Sequence, residues 1–233
     1  MRAIWPRVSV VSLCLLWADS VQAQGLIHQL PPDGTSVRFQ VAVTRKVPGG
    51  QSASQAAEVA VSSVGVAKAA DGDLRWIEIS LRLPKQTQLL KLAIPEKHFG
   101  KGQDPFAHIT RAWLKRDDAE PEQVEPERAR RAVAVFLVPH FGELSGEGTE
   151  TLDTKIGKLE CNVREGKATT KFDDTTLESS GRFWLNSQVP LGWAQLELHR
   201  RAVSGGELVR ETTSRFTIAE VGRRAVSQLP DRQ

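Results

Sequence analysis

Among 233 residues the chain has two cysteines, one methionine and no tyrosine. Cys14 lies in an N-terminal apolar run; beyond it only Cys161 remains, so no intramolecular disulfide is expected. The five histidines, His28, His98, His108, His140 and His199, never fall at the i, i+2 or i, i+4 spacing of a metal-ligand pair, and no metal is assigned. Ser145-Gly146 lacks the Gly-x-Ser-x-Gly elbow of a serine nucleophile. Gly100-Lys101-Gly102 and Gly146-Glu147-Gly148 do not lie between a strand pattern and a helix pattern, as a phosphate loop requires. Asp173-Asp174 sits in a polar stretch where solvation is the default. The expectation is therefore a protein that is not an enzyme and carries no cofactor. Lysine and arginine are not clustered, which argues against nucleic acid as a partner.

The N-terminus reads as a secretory signal peptide, residues 1–23. Arg2 and Arg7 precede an apolar run over 8–17, and Val21-Gln22-Ala23 supplies a cleavage site. The run is about ten residues, short of the roughly 20 needed to span a bilayer. Lipidation of Cys14 would need a small residue before it, and Leu13 is large. The expected product is exported, periplasmic or extracellular, with no transmembrane segment. Removing Arg2, Arg7 and Asp19 takes the 31 basic and 28 acidic residues to 29 and 27, leaving no large field of either sign.

What is present is strand pattern. Residues 24–221 read as a single β-rich domain. Val37, Phe39, Val41 and Val43 alternate with polar neighbours, as a half-buried strand does. A second strand over 57–67 slips phase at Ser62-Ser63, which predicts a bulge. Ile77, Ile79, Leu81 and Leu83 form one face of a third, and 88–95 is a fourth, giving an antiparallel meander. Phe106, Ile109, Trp113 and Leu114 fall near helical spacing and predict a short helix from Pro105. Residues 117–131, charged and twice Glu-Pro, read as a linker or insertion. The apolar run 132–138 favours a strand by its β-branched content, with a helix over 129–137 as the alternative.

Strands return over 152–156, 158–164, 182–186, 193–201 and 207–219, the last two joined at Ser204-Gly205-Gly206. Cys161 shares the apolar phase of Leu159 and Val163 and reads as a small, inert core residue. Residues 222–233 read as a polar tail that frays. The core is expected to include Val37, Phe39, Val41, Ile77, Ile79, Leu81, Leu159, Cys161, Val163, Leu196 and Leu198. Trp76, Trp184 and Trp193 each fall on the polar phase of their strand. They either cover sheet ends or line a partly apolar binding surface, and so are the candidate ligand-binding residues. Pro190 and Gly192 predict a sharp turn between the last tryptophans.

The segments Gly157-Lys158-Leu159-Glu160-Cys161 and Trp184 through Val189-Pro190-Leu191-Gly192 resemble a group of uncharacterised exported bacterial proteins. There a G-x-x-x-C strand precedes a W-x-S-x-x-V-P-x-G segment and a final hairpin; Asn186 departs slightly from that pattern. The arrangement looks like the unclosed β-barrel, or half-barrel, of periplasmic lipoprotein carriers of the LolA/LolB type. That resemblance implies a curved antiparallel sheet wrapping one or two short helices and holding acyl chains. Two readings of function follow. One is a non-catalytic binding module for lipid, lipoprotein acyl chains or another apolar or amphipathic ligand. The other is an envelope protein that binds a partner protein without a ligand cavity. An enclosed cavity above about 300 Å³, the lower end of ordinary ligand pockets, would separate them.

Overall fold

In the computed structural model the described residues are 22–23, 25–100, 103–146 and 148–229. Of the expected signal peptide only residues 22–23 fall among them. A two-residue strand β1 (Gln22–Ala23) pairs with β8 (Gly142–Glu143). The remaining strands are β2 (Thr35–Lys46), β3 (Ala53–Ala69), β4 (Gly72–Leu83), β5 (Gln86–Pro95), β6 (Arg111–Arg116), β7 (Glu122–Val124), β9 (Thr149–Thr154), β10 (Gly157–Phe172), β11 (Thr175–Leu185), β12 (Trp193–Ser204) and β13 (Glu207–Arg223). They form one eleven-stranded sheet in the order β7-β6-β5-β4-β3-β2-β13-β12-β11-β10-β9. Every pairing is antiparallel, and the curved sheet is not closed. Two meanders, one from each half of the chain, thus meet where β2 pairs with β13.

Turn chemistry fixes the hairpins. Gly205 and Gly206 both have positive φ, 58° and 85°, as a two-residue type I′ loop between β12 and β13 demands. The bulge expected in β3 lies between Ser63 and Val66. Nine of the eleven expected core residues are buried, and Leu81 and Leu159 are partly so. At the centre Phe39 stacks on Trp193, with centroids 4.1 Å apart, and Phe216 meets the indole edge-on.

The pair Gly166–Gly181, directly opposed on β10 and β11, clears a notch in the same inner face. A Cβ on Gly181 would lie 2.8 Å from the Phe141 ring, and one on Gly166 would lie 2.5 Å from Leu144. Those side chains occupy the space the two glycines leave.

Several expectations need correction. Only Pro105–His108 is helical near Phe106, a single 3-10 turn capped by the Asp104 carboxylate, which accepts from the Phe106 amide at 3.1 Å. Trp113 and Leu114 belong to β6, because the open edge of β5 offers a complete ladder that alternates Leu114 inward with Trp113 outward. The charged stretch 117–131 is no linker: it holds β7 and helix α1 (Pro126–Ala132), with Pro126 at the helix start where its missing N–H costs nothing. The helix continues as a π turn, Val133–Leu137, so the helical alternative holds for that apolar run.

The polar stretch before residue 182 is not a loop but the body of a long hairpin. β10 and β11 stay paired from Asn162–Leu185 to Phe172–Thr175, with Asp173 at positive φ in the turn. Polar residues on both strands look outward, and the sequence shows no strand pattern there because most inward positions, Gly166, Ala168, Thr170, Ser179 and Gly181, are small or polar.

The C-terminal segment does not fray over its described part. The Ala225 amide bonds the Gly34 carbonyl, and Leu229 is buried with Leu89 and Trp113, beside Trp76. Its backbone answers two buried charges. The Glu78 carboxylate accepts from the Gln228 and Leu229 amides, and Lys91 donates to Ser227 Oγ at 2.8 Å and the Leu229 carbonyl at 3.1 Å. Buried charges need such partners, so the segment belongs to the fold.

Gly192 closes the turn from β11 to β12. Its φ is +85°, its amide bonds the Val189 carbonyl, and an added Cβ would stand 2.8 Å from His28 Cβ. Gly192→Val is expected to cost about 1–3 kcal/mol, the range for a strained backbone position; chemical denaturation of the variant against wild type measures it. Wild-type stability in the variant would contradict the turn.

His28 lies over that turn, its ring 5.0 Å from Phe183. Both ring nitrogens are shielded from solvent although part of the residue is accessible. Burial lowers its pKa to about 4, with the Gly25 backbone opposing and His140 reinforcing. A pKa depressed in the folded state means the unfolded chain binds the extra proton first. The stabilisation is present above the unfolded value of 6.5 and is lost as pH falls toward 4. The lowered pKa corresponds to about 3 kcal/mol across that window. Denaturation midpoints between pH 7 and 4 should fall less steeply in His28→Gln than in wild type.

Candidate functional site

The strand pairings set which side chains share the inner face. Phe183, Leu196, Phe216, Val41 and Ala57 lie in one row across β11, β12, β13, β2 and β3. The next row holds Gly181, Leu198, Ser214, Val43 and Gln55, and the one beyond it Ser179, Arg200, Thr212 and Arg45. A further row holds Leu177, Ala202 and Arg210.

Between these rows and Leu137, at the end of the helical segment, lies a cavity of about 150 Å³. Its walls are aliphatic and aromatic toward Val59, Leu81 and Phe216. Arg45, Arg200 and Arg210 stand at the other end, and no carboxylate lines it among the described residues. The Arg200 guanidinium donates to the Leu137 carbonyl, so it ties the helical segment to the sheet. Burial, with the Arg210 charge adding to it, lowers the Arg200 pKa to about 10, which leaves it cationic at neutral pH.

Two larger depressions are open and polar. One, about 740 Å³, lies over the outer face of β10–β13; the other, about 570 Å³, lies between α1 and the β10 end. Glu165, Arg182 and Glu197 line the first, and with Arg215 beside it they form a row of alternating charge across the strands, with Arg182–Glu165 at 3.8 Å and Arg215–Glu197 at 2.5 Å. That is the signature of a solvated sheet face.

His199 also lies there, its Nε2 3.1 Å from Glu211 Oε1, with Ser180 opposite in register. No hydrogen bond joins Ser180 to His199 among the described residues, so the serine is not activated as a nucleophile requires. His98 and His108 stack face to face at 3.5 Å, and among the described residues no group of three or more metal-ligating side chains forms.

The three candidate tryptophans do not converge, and none lines the apolar cavity. Trp76 lies on the outer face of β4, 5.5 Å from Trp113, with Lys91 and Arg111 over its ring. Trp184 is buried on the outer phase of β11. Its Nε1 donates to Glu150 Oε2 at 2.8 Å, and Arg182, itself bonded to Glu150, covers the ring. Trp193 turns out to be inward, fully buried, donating to the Leu26 carbonyl at 3.0 Å.

The polar phase assigned to Trp193 fails because of a bulge. Trp184 opposes Gln195 but Leu185 opposes Trp193, so Ala194 is the extra residue and the side chain before it changes face. The residues the sequence reading passed over are Arg45, Arg200 and Arg210. A signal for them exists: each is a charged residue on the apolar phase of its strand, Arg45 after Val41 and Val43, Arg200 after Leu196 and Leu198, Arg210 before Phe216.

The chain matches no family model and no curated protein. Among solved structures it is similar to a protein of YmcC-like fold from Bacteroides fragilis, at 9% identity and a TM-score of 0.33 over 85% of this chain and 100% of that one. It is similar to a DUF1329 family protein from Desulfovibrio piger, at 11% identity and 0.33 over 86% and 89%. It is also similar to a LolA superfamily protein from Nitrosomonas europaea, at 10% identity and 0.28 over 87% and 90%.

Cys161 is fully buried and burial raises its thiol pKa, so the thiolate is scarce near neutrality. In the folded protein at pH 8 it should resist Ellman's reagent for hours and react within minutes in denaturant. Fast reaction in the native state would show that the β9–β10 corner opens.

Proposed function

We propose that the protein is an exported, non-catalytic binding module that takes an apolar or amphipathic chain, such as lipid or a lipoprotein acyl chain, between the inner face of the sheet and the helical segment ending at Leu137. The supporting observation is the cavity itself: aliphatic rows from both meanders, a helix end above them, and no carboxylate among the described lining residues. Export rests on the signal-peptide pattern of residues 1–23.

The volume of about 150 Å³ falls below the roughly 300 Å³ of ordinary ligand pockets. The ligand is then a single narrow chain, or the helical segment moves outward to admit more. The same small volume favours the second reading, an envelope protein that binds a partner protein and uses the helix to complete its core.

Native mass spectrometry of protein purified from the cell envelope should show co-purified lipid, and a fluorescent fatty-acid probe should bind. Ala57→Phe, which fills the cavity, should weaken the probe at least about tenfold, or 1.4 kcal/mol, while the thermal melt stays cooperative. A clean apo mass together with no probe binding would favour the second reading.

A further inference from the structure

The three arginines at one end of the cavity have a consequence for what enters it. Thr212 lies between Arg200 and Arg45 in register, and Arg210 is two residues before Thr212 on the same strand. With neighbouring strands about 4.8 Å apart and residues rising about 3.4 Å along a strand, the three Cα atoms surround Thr212 within roughly 10 Å of it.

The opposite faces of these strands carry their own acids, Glu178 with Arg201 and Glu211 with His199, and those stay on the outer side. Neither Arg45 nor Arg210 is in an ion pair among the described residues, and both are exposed. The lowered pKa of Arg200 has the Arg210 charge among its causes, so these cations feel one another. Like charges gathered on an apolar wall that has no carboxylate among its described residues repel, and an anion placed beside Arg45 and Arg210 relieves that repulsion. Guanidinium groups match carboxylate and phosphate oxygens in paired hydrogen bonds.

We infer that the ligand carries an anionic head, a carboxylate or a phosphate, held by Arg45, Arg210 and Arg200 while its single alkyl tail lies along Val41, Val43, Val59 and Leu81. This rests on the binding reading above and narrows it: a neutral lipid of the same length is a poor ligand. The small cavity suits this arrangement, since only the tail must be enclosed and the head sits at the exposed end.

The test is calorimetric titration of the full processed chain with dodecanoate, with dodecanol and with lauroyl lysophosphatidate, each below its micelle concentration. Dodecanoate or lysophosphatidate is expected to bind at least about tenfold more tightly than dodecanol. The Arg45→Gln/Arg210→Gln double variant should lose that preference and keep the dodecanol affinity, with an unchanged melt confirming its fold. Raising salt should weaken the anions alone.

Preference for dodecanoate identifies a free fatty acid as the ligand class, and preference for lysophosphatidate identifies a phospholipid. Dodecanol binding as tightly as both anions overturns the anionic head and leaves the binding module intact. If none of the three binds, the binding reading falls as well.

Discussion

The antiparallel ladder between β2 and β13 is the pairing on which the rest depends. It joins residues 35–46 to residues 211–223 and makes one sheet of two meanders that could otherwise form separately. The cavity takes its walls from both sides of this seam: Val41, Val59 and Leu81 from the first meander, Leu177, Ala202 and Phe216 from the second. Contacts between such distant segments must overcome loop-closure entropy before they contribute stability. The dense apolar packing of Phe39, Trp193 and Phe216 on this seam supplies the compensating burial.

The two faces of the sheet solve different problems. The inner face buries aliphatic rows and uses the opposed glycines 166 and 181 to admit Phe141 and Leu144. The outer face is mostly a solvated pattern of alternating charge, where each ion pair contributes little to stability. Its exception is the first meander, where the C-terminal segment crosses Trp76, Trp113 and Leu89 and satisfies Glu78 and Lys91. Arg200 is the corresponding exception inside. A cation on the apolar phase costs desolvation, and its bond to the Leu137 carbonyl offsets part of that cost while fixing the helix end over the cavity.

The cavity and the charge at its end carry the functional reading. An aliphatic wall alone would suit any apolar chain. Arg45 and Arg210, in no ion pair among the described residues, give one end of the site a positive charge, so that a ligand has a direction in it. Nothing comparable distinguishes the outer depressions, where charges of both signs alternate and the His199–Glu211 pair is only partly buried.

The sequence by itself determined the strand phases of β2, β4, β10 and β12, the bulge in β3 and the Gly205-Gly206 hairpin. Each of these is local: a period of two, a phase slip, or a glycine that alone accepts positive φ. The mainly β, antiparallel character was legible from them, whereas the curved, unclosed sheet was what the resemblance to LolA/LolB-type carriers implied. What only the tertiary structure decided were the features set by neighbours. Trp193 faces inward because a bulge against Leu185 shifts it, and no pattern within β12 records that. Residues 111–116 became a strand because the edge of β5 was open. Residues 164–172 and 175–181 became a hairpin because their outward polar side chains face water on a real sheet. Arg45, Arg200 and Arg210 were visible as charges on apolar phases, but three separate strands had to be laid side by side before they became one site. A charge pattern shared between strands is a property of register, and register is fixed by the pairing of distant segments, which no single stretch of sequence contains.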